Sequence, residues 1–115
     1  MPQSPEILQL IEQINNSGKA IVVEGKKDLA ALQRLGVKNR IFMINKPLFA
    51  LSEEIAAQTK DIIILTDLDK KGKELYGRLS TQLQRLGVRI DSKYREFLFK
   101  NSKVRQIEGL NNSSL

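Results

Sequence analysis

The stretch DIIILTDLDKKG, residues 61–72, decides how this chain is organised. Its apolar run, residues 62–65, predicts a buried strand, and Asp67 and Asp69 follow directly after that strand. Packing does not require two acids there, because an ionised carboxylate near a core is costly unless something neutralises it. A divalent cation bound by carboxylate oxygens would neutralise both acids. The stretch therefore predicts a cation site at the end of a strand.

Length and composition predict a single soluble domain. The chain has 115 residues, of which 41% are hydrophobic and 28% charged, as is usual for a globular protein. We predict one domain over residues 1–110 and a flexible polar tail over residues 111–115. No run of apolar residues is long enough for a membrane span, and the first residues do not resemble a secretory signal. We therefore expect a cytoplasmic location and no membrane partner.

The residue types that are missing exclude several kinds of chemistry. The chain contains no cysteine and no histidine. Disulfides, thiolate metal sites and His-based zinc sites are therefore excluded, as are Ser-His nucleophile pairs and an imidazole general base. Any catalysis must use carboxylates, lysines, hydroxyls or a metal ion.

Positive charge is concentrated in the second half of the chain. The formal net charge is +6. Residues 1–69 carry 8 Lys/Arg against 9 Asp/Glu, whereas residues 70–105 carry 11 against 3. A basic segment beside a cluster of acids is typical of proteins that bind polyanions, although a solvated lysine-rich surface has the same composition. We therefore expect a nucleic-acid partner.

Strand and helix patterns alternate along the chain. Apolar runs predict strands, which we place at residues 19–24, 40–44, 62–66 and 88–90, with a last one at 104–107. Helical spacing and cap residues predict helices, which we place after Ser4-Pro5, after Asp28, after Pro47 or Ser52, from about Lys71, and after Asp91 or Ser92. We expect residues 25–27 to form a tight turn, Asp28 to cap the second helix, and Leu75, Leu79, Leu83 and Leu86 of the fourth helix to face the core.

This alternation predicts an α/β sandwich with a central, mainly parallel sheet of about four strands. Ligands of such sheets bind beyond the carboxyl ends of the strands. Glu24 ends the first predicted strand, and Asp67 and Asp69 follow the third. If those strands are neighbours, about 4.8 Å apart, the three carboxylates converge. One sequence does not establish that adjacency.

Two motifs together resemble the Toprim domain family. They are IVVEGKKD, residues 21–28, and IIILTDLDKKGKE, residues 62–74. The family pattern is an acid-Gly pair ending the first strand and Asp-x-Asp ending the third, often with Gly three residues on. It matches Glu24, Gly25, Asp67, Asp69 and Gly72 one by one, and the resemblance covers residues 19–90. The sequences of these two motifs are most similar to those of small standalone Toprim proteins and of the Toprim core of a ribonuclease that matures ribosomal RNA. Bacterial-type primases share that core.

The resemblance implies a role for each motif residue. Asp67 and Asp69 would hold Mg²⁺, with Mn²⁺ as a substitute, and Glu24 would act as general acid/base and share the metal. The structural motif residues are Gly25, Asp28 and Gly72, and the glycines would permit close backbone approach. Five lysines beside the acids would contact phosphates, namely Lys26, Lys27, Lys70, Lys71 and Lys73.

The chain also departs from parts of the family pattern. Leu68 stands where nuclease-like relatives often have Pro. Nothing in the sequence corresponds to the tyrosine-bearing domain of a topoisomerase, since Tyr76 and Tyr94 are expected to be packing or surface residues. The additional domains of a primase are also missing. A dehalogenase-type phosphatase would place Asp-x-Asp on the first strand with Thr two positions later, where this chain has Lys71.

Two functions from different classes follow. The first is a Mg²⁺-dependent, nuclease-like enzyme that acts on phosphodiesters of RNA or DNA. The second is a non-catalytic module that binds nucleic acid, or a subunit of a larger complex that processes RNA or DNA. For either function, a protein partner or a homodimer is a further expectation. A single small domain offers little surface for selecting one cleavage site, which is the argument for the second.

Overall fold

A four-stranded parallel sheet forms the centre of the molecule, for which a computed structural model describes residues 5–101 and 105–112. The strands are β1 (Ala20–Val23), β2 (Ile41–Met43), β3 (Asp61–Ile64) and β4 (Arg89–Asp91). Their order across the sheet is β2-β1-β3-β4, and every neighbouring pair is parallel. The predicted α/β class and parallel sheet are therefore confirmed, and the first and third strands are neighbours.

Helices cover both faces of this sheet. They are α1 (Pro5–Ser17), α2 (Lys26–Arg34), α3 (Leu48–Gln58), α4 (Lys70–Arg85) and α5 (Lys93–Asn101), followed by a 3₁₀ helix at Ile107–Asn112. Core side chains of α1, α2, α5 and the 3₁₀ helix pack in one cluster, and those of α3 and α4 pack in another. The result is a three-layer sandwich, as predicted. Within the described residues no helix has the length and apolar character of a membrane span.

The sheet is buried on both faces, which explains its continuous apolar runs. All four residues of β1 are buried, and residues 62–64 of β3 are 0% exposed. Alternate strand residues enter opposite clusters: Ile21 and Ile63 pack under α1 and α5, whereas Val22 and Ile64 pack under α3 and α4. Such two-sided burial is typical of parallel sheets.

Local signals placed most helix ends correctly. Pro5 opens α1, as its fixed φ favours. Gly36 and Gly87 follow α2 and α4 with φ of 96° and 83°, a conformation that few other residues adopt. Pro47 precedes α3, so the earlier of the two predicted starts is the correct one.

Three local predictions are wrong. Residues 26 and 27 do not form a tight turn but begin α2, because Gly25 occupies the N-cap. Leu86 is 39% exposed, because α4 ends at Arg85 and Leu86 lies in the turn that leads into β4. Ile107 opens a 3₁₀ helix instead of closing a strand, while Val104 lies outside the described residues, as do residues 113–115 of the predicted tail.

Candidate metal and phosphate site

The acid of the first motif and the loop of the second meet at the carboxyl edge of the sheet. Val22 and Ile64 are partners in the β1–β3 register, and the N–H of Leu65 donates to the carbonyl of Val22 at 2.9 Å. Beyond these pairs the carboxylate of Glu24 accepts a hydrogen bond from the backbone N–H of Asp67 at 2.7 Å. One hydrogen bond therefore joins motifs that lie 43 residues apart.

Asp67 is held on its other side by the C-terminal segment. Its Oδ1 accepts from the N–H of Ile107 at 2.8 Å, and the next residue, Leu68, donates its N–H to the carbonyl of Arg105 at 2.8 Å. Ile107 is 0% exposed, so its side chain anchors this segment in the core. The 3₁₀ helix therefore fixes the Asp67 carboxylate in position.

Asp69 occupies the N-cap of α4. Its Oδ1 accepts from the N–H of Gly72 at 2.7 Å, the usual bond of a helix N-cap. A Cβ at Gly72 would lie 2.6 Å from the carbonyl carbon of Asp67 and nearer still to its oxygen. The buried hydroxyl of Thr66 also donates to the carbonyl of Gly72 at 2.8 Å. The first turn of α4 therefore packs directly against the Asp67 loop, and only glycine fits at position 72.

Asp28 lies beside these acids but serves the backbone of α2. It is the third residue of that helix, and its Oδ2 accepts from the N–H of the N-cap Gly25 at 3.1 Å. The N–H of Glu108 in the 3₁₀ helix also bonds to the carboxylate, which is 7% exposed. Asp28 therefore helps to cap α2, but from within the helix; the predicted helix start after Asp28 is wrong, because α2 begins at Lys26. Gly25 itself has an extended backbone, φ −160°, and open space where a Cβ would lie, so the predicted close backbone approach is wrong for this glycine.

Proximity of these acids perturbs their protonation. Partial burial raises the pKa of Glu24 above its ordinary value, and the negative charges of Asp67, Asp69 and Asp28 raise it further, against the opposing effect of the Asp67 N–H. Burial likewise raises the pKa of Asp28, and the charge of Asp67 adds to it. The edge of the sheet therefore carries excess negative charge that a cation would relieve.

The donor set fits a hard divalent cation held in an open site. Within the described residues, Glu24, Asp67 and Asp69 each bond a backbone N–H through one carboxylate oxygen and leave the other without a hydrogen bond. Mg²⁺ prefers one or two carboxylates together with waters or phosphate oxygens. Across residues 5–101 and 105–112 no three acidic side chains are arranged to hold one ion jointly. A closed cage of three carboxylates is therefore not formed, and shared binding stays a prediction.

The five predicted lysines surround this edge. Lys26 and Lys27 lie in the first turn of α2, Lys70, Lys71 and Lys73 lie in the first turn of α4, and all five are exposed. The partly positive N-terminus of each helix lies at the same edge. Lys26 and Lys27 line one open cavity of about 450 Å³ together with the acids Glu24, Asp28, Asp67 and Glu108. The lysines and helix ends therefore place positive charge around the acids, and contact with a phosphate stays a prediction.

Arg95 is a site residue that sequence reasoning missed. Its Nε donates to the carbonyl of Thr66 at 2.9 Å, and a terminal nitrogen donates to the carbonyl of Asp67 at 2.7 Å. The guanidinium lies 4.7 Å from the ring centre of Tyr76 and 5.3 Å from that of Phe99. Burial lowers its pKa, and an arginine there still remains charged. Arg95 therefore supports the Asp67 loop from beneath.

No pattern in the sequence pointed to this arginine. Tyr76 and Tyr94 were predicted to be packing or surface residues, and Tyr94, at 4% exposure, is a packing residue. The roles of the Ile107 and Glu108 N–H groups could not be predicted from the sequence either, because every residue except proline has a backbone N–H donor. These contacts depend on how distant segments pack, which one sequence does not encode locally.

Comparison with known proteins extends the resemblance to nearly the whole chain. A model of the Toprim domain matches residues 19–99. A UPF0292 protein of Methanocaldococcus jannaschii is 33% identical over 111 residues, covering 91% of this chain and 87% of its own length. A UPF0292 protein of Pyrococcus abyssi is 36% identical over 105 residues, covering 90% and 80%.

A solved structure supports the same fold. A protein from Aquifex aeolicus superposes with a TM-score of 0.78 at 27% identity, and the match covers 87% of this chain and 94% of that one. Toprim domains are associated with metal-dependent chemistry on nucleic acids and generally bind Mg²⁺ through acidic residues. The matched range includes every acid of the candidate site except Glu108.

Proposed function

The chain belongs to the Toprim family, and on that premise we propose that it carries out Mg²⁺-dependent, nuclease-like chemistry on phosphodiesters of RNA or DNA. The observation that carries the proposal is the 2.7 Å hydrogen bond from the Asp67 N–H to the Glu24 carboxylate. It brings an acid with a raised pKa to an Asp-x-Asp loop, beside exposed lysines.

In this proposal each acid has a separate task. Asp67 and Asp69 would hold Mg²⁺, since each carboxylate bonds a backbone N–H, of Ile107 and Gly72 respectively, through Oδ1 alone. When bound, the metal supplies Lewis-acid polarisation of a phosphodiester oxygen. Glu24 moves the proton: its raised pKa lets it hold one nearer neutral pH than an ordinary glutamate, as a general acid/base requires.

The lysines position the substrate. Lys26 and Lys27 on one side, and Lys70 and Lys71 on the other, offset the repulsion between a phosphate backbone and the acids. The nearby N-termini of α2 and α4 favour the same anion. Nothing in these contacts depends on base identity, so they provide affinity and orientation and do not select a sequence.

A second candidate is a non-catalytic module that binds nucleic acid within a larger complex. One observation favours this candidate. Glu24, Asp67 and Asp69 already bond backbone N–H groups, and among the described residues no three acids are arranged around one ion. In that case the acids hold the loop in shape, and the lysines alone contact the phosphates.

Cleavage separates the two candidates. Labelled structured RNA, single-stranded DNA and duplex DNA are incubated with the protein, with and without Mg²⁺. The enzyme proposal expects cutting that requires Mg²⁺ and is lost in Glu24→Gln, whose amide still accepts the Asp67 N–H. Glu53→Gln, an exposed acid on α3, is the matched control and should cut normally. Binding without cutting, unchanged by Glu24→Gln, would favour the module instead.

A further inference from the structure

A groove runs along the outer side of α4, on the layer that contains α3. It has a volume of about 580 Å³, and its lining includes Lys73, Gly77, Arg78, Thr81 and Arg85. The groove starts at Lys73, one turn after the Asp69 cap, so it leads directly away from the acid site.

Gly77 in the middle of this groove has no role in the fold. Glycine weakens a helix interior relative to alanine. The φ of Gly77 is not positive, and apart from the neighbouring residues and backbone of its own helix no described atom lies within 4 Å of the position where a Cβ would be. Neither backbone conformation nor packing requires glycine there. What the missing side chain does provide is room for a ligand to approach the helix.

The charges of the groove are unbalanced. Lys73, Arg78 and Arg85 are exposed and form no ion pair within the described residues. Glu74 is the one acid among the lining residues. An anionic partner that presents repeated charges matches this arrangement.

We propose that the α4 groove binds the phosphate backbone of a nucleic-acid strand that continues into the acid site. Lys73 and Arg85 are separated by twelve residues, which is about 18 Å along a helix. At about 3.4 Å of axis per nucleotide, that length corresponds to about five phosphates. Continuity with the lysines at the acid site favours a nucleic acid over an acidic peptide. This inference rests on the proposed function, which supplies the strand.

Salt-dependent binding tests the groove directly. Fluorescence anisotropy of labelled 20-nucleotide RNA and DNA is measured in a Glu24→Gln background, so that the strand stays intact. Arg78→Gln with Arg85→Gln should weaken binding roughly tenfold at about 0.1 M salt. The slope of log affinity against log salt should become shallower by about 1.4 to 1.8, because two phosphate contacts are lost.

A matched control removes the same charge elsewhere. Arg34→Gln with Lys38→Gln neutralises two exposed cations at and just beyond the end of α2, on the opposite side of the sheet. If this pair lowers affinity and slope as much as the groove pair does, or if an acidic peptide binds the groove and the nucleic acids do not, the inference is overturned.

Gly77→Leu provides a test in which weaker binding cannot be explained by a loss of stability. Leucine favours helix, so the melting temperature should rise while nucleic-acid binding weakens. Gln33→Leu on α2 should leave binding unchanged. Unaltered binding by Gly77→Leu would overturn the inference.

Failure of the groove and failure of the proposed function give different results. Wild-type protein that cuts with Mg²⁺ while the groove variants bind normally contradicts the groove alone. If the wild-type protein never cuts but the groove variants show the shallower slope of log affinity against log salt, the enzyme proposal alone is contradicted.

Discussion

At the scale of single residues, the candidate site consists of acids that each serve the backbone and retain one oxygen. Glu24 bonds the Asp67 N–H, Asp67 bonds the Ile107 N–H, and Asp69 bonds the Gly72 N–H. These bonds fix the directions of the remaining oxygens before any ligand binds. Such preorganisation is what a cation or phosphate site requires, because the ordering is already complete.

Gly72→Ala should destabilise the fold. The added Cβ would overlap the Asp67 carbonyl, so α4 or the loop must shift, at about 1 to 3 kcal/mol. Gly77→Ala is the matched control in the same helix: its Cβ meets nothing within 4 Å, and the change should stabilise by up to about 1 kcal/mol. Urea unfolding measures both. Equal effects of the two substitutions would show that Gly72 is not a close-approach position.

Arg95→Met should loosen the Asp67 loop. The carbonyls of Thr66 and Asp67 would each lose a hydrogen bond from a half-buried guanidinium, at about 1 to 3 kcal/mol in total. Arg95→Lys should recover only part of the lost stability, because an ammonium group cannot reproduce the two-pronged donor geometry of the guanidinium. The exposed Arg78→Met is the control and should change the unfolding free energy little. An Arg95→Met protein as stable as wild type would argue against a supporting role.

At the scale of elements, hydrophobic periodicity predicted the alternation of strands and helices, but it did not predict every boundary or the 3₁₀ helix. The four strands of the sheet and the five helices follow from apolar runs and cap residues such as Pro5 and Gly87. The start of α2 was missed because a strand followed by Gly-Lys-Lys reads as a turn, whereas Gly25 caps a helix directly. The 3₁₀ helix was missed because Ile107 is apolar for burial against α2, which a strand would also explain.

The Lys19–Asp91 ion pair, which joins the start of β1 to the end of β4, predicts a pH effect. Burial alone would raise the pKa of Asp91, but the 2.8 Å bond from Lys19, together with Lys93, outweighs it and lowers the pKa below its ordinary 3.8. The stabilisation is therefore present above pH 3.8 and is lost as the pH falls through the lowered pKa.

Asp91→Asn should accordingly cost about 1 kcal/mol at neutral pH and nothing at pH values below the folded-state pKa. Urea unfolding at a series of pH values measures this difference. Asp61→Asn, whose partner Arg89 is 80% exposed, is the control and should show a smaller effect. A difference between wild type and Asp91→Asn that grows as the pH falls would contradict the prediction.

At the scale of the whole molecule, strand order determines the site. β1 and β3 are neighbours at the centre of the sheet. Glu24 and the Asp67 loop, which follow these two strands, therefore lie side by side. The acids, flanking lysines and glycines of the candidate site were predicted from the sequence, since their residue types and spacing are distinctive. Strand order, Arg95 and the C-terminal backbone donors were not, because they arise from packing between segments far apart in the chain.

The claim that these acids form one cation site is tested most directly by diffraction from crystals soaked in Mn²⁺, recorded at a wavelength with strong manganese anomalous scattering. We predict one ion, coordinated by oxygens of at least two of Glu24, Asp67 and Asp69, at the carboxyl edge of β1 and β3. Crystals of Glu53→Gln should show the same ion, and those of Asp67→Asn should show it weakened or lost. Crystals of the wild type with no manganese at these carboxylates, at a concentration that saturates an open two-carboxylate site, would contradict the account.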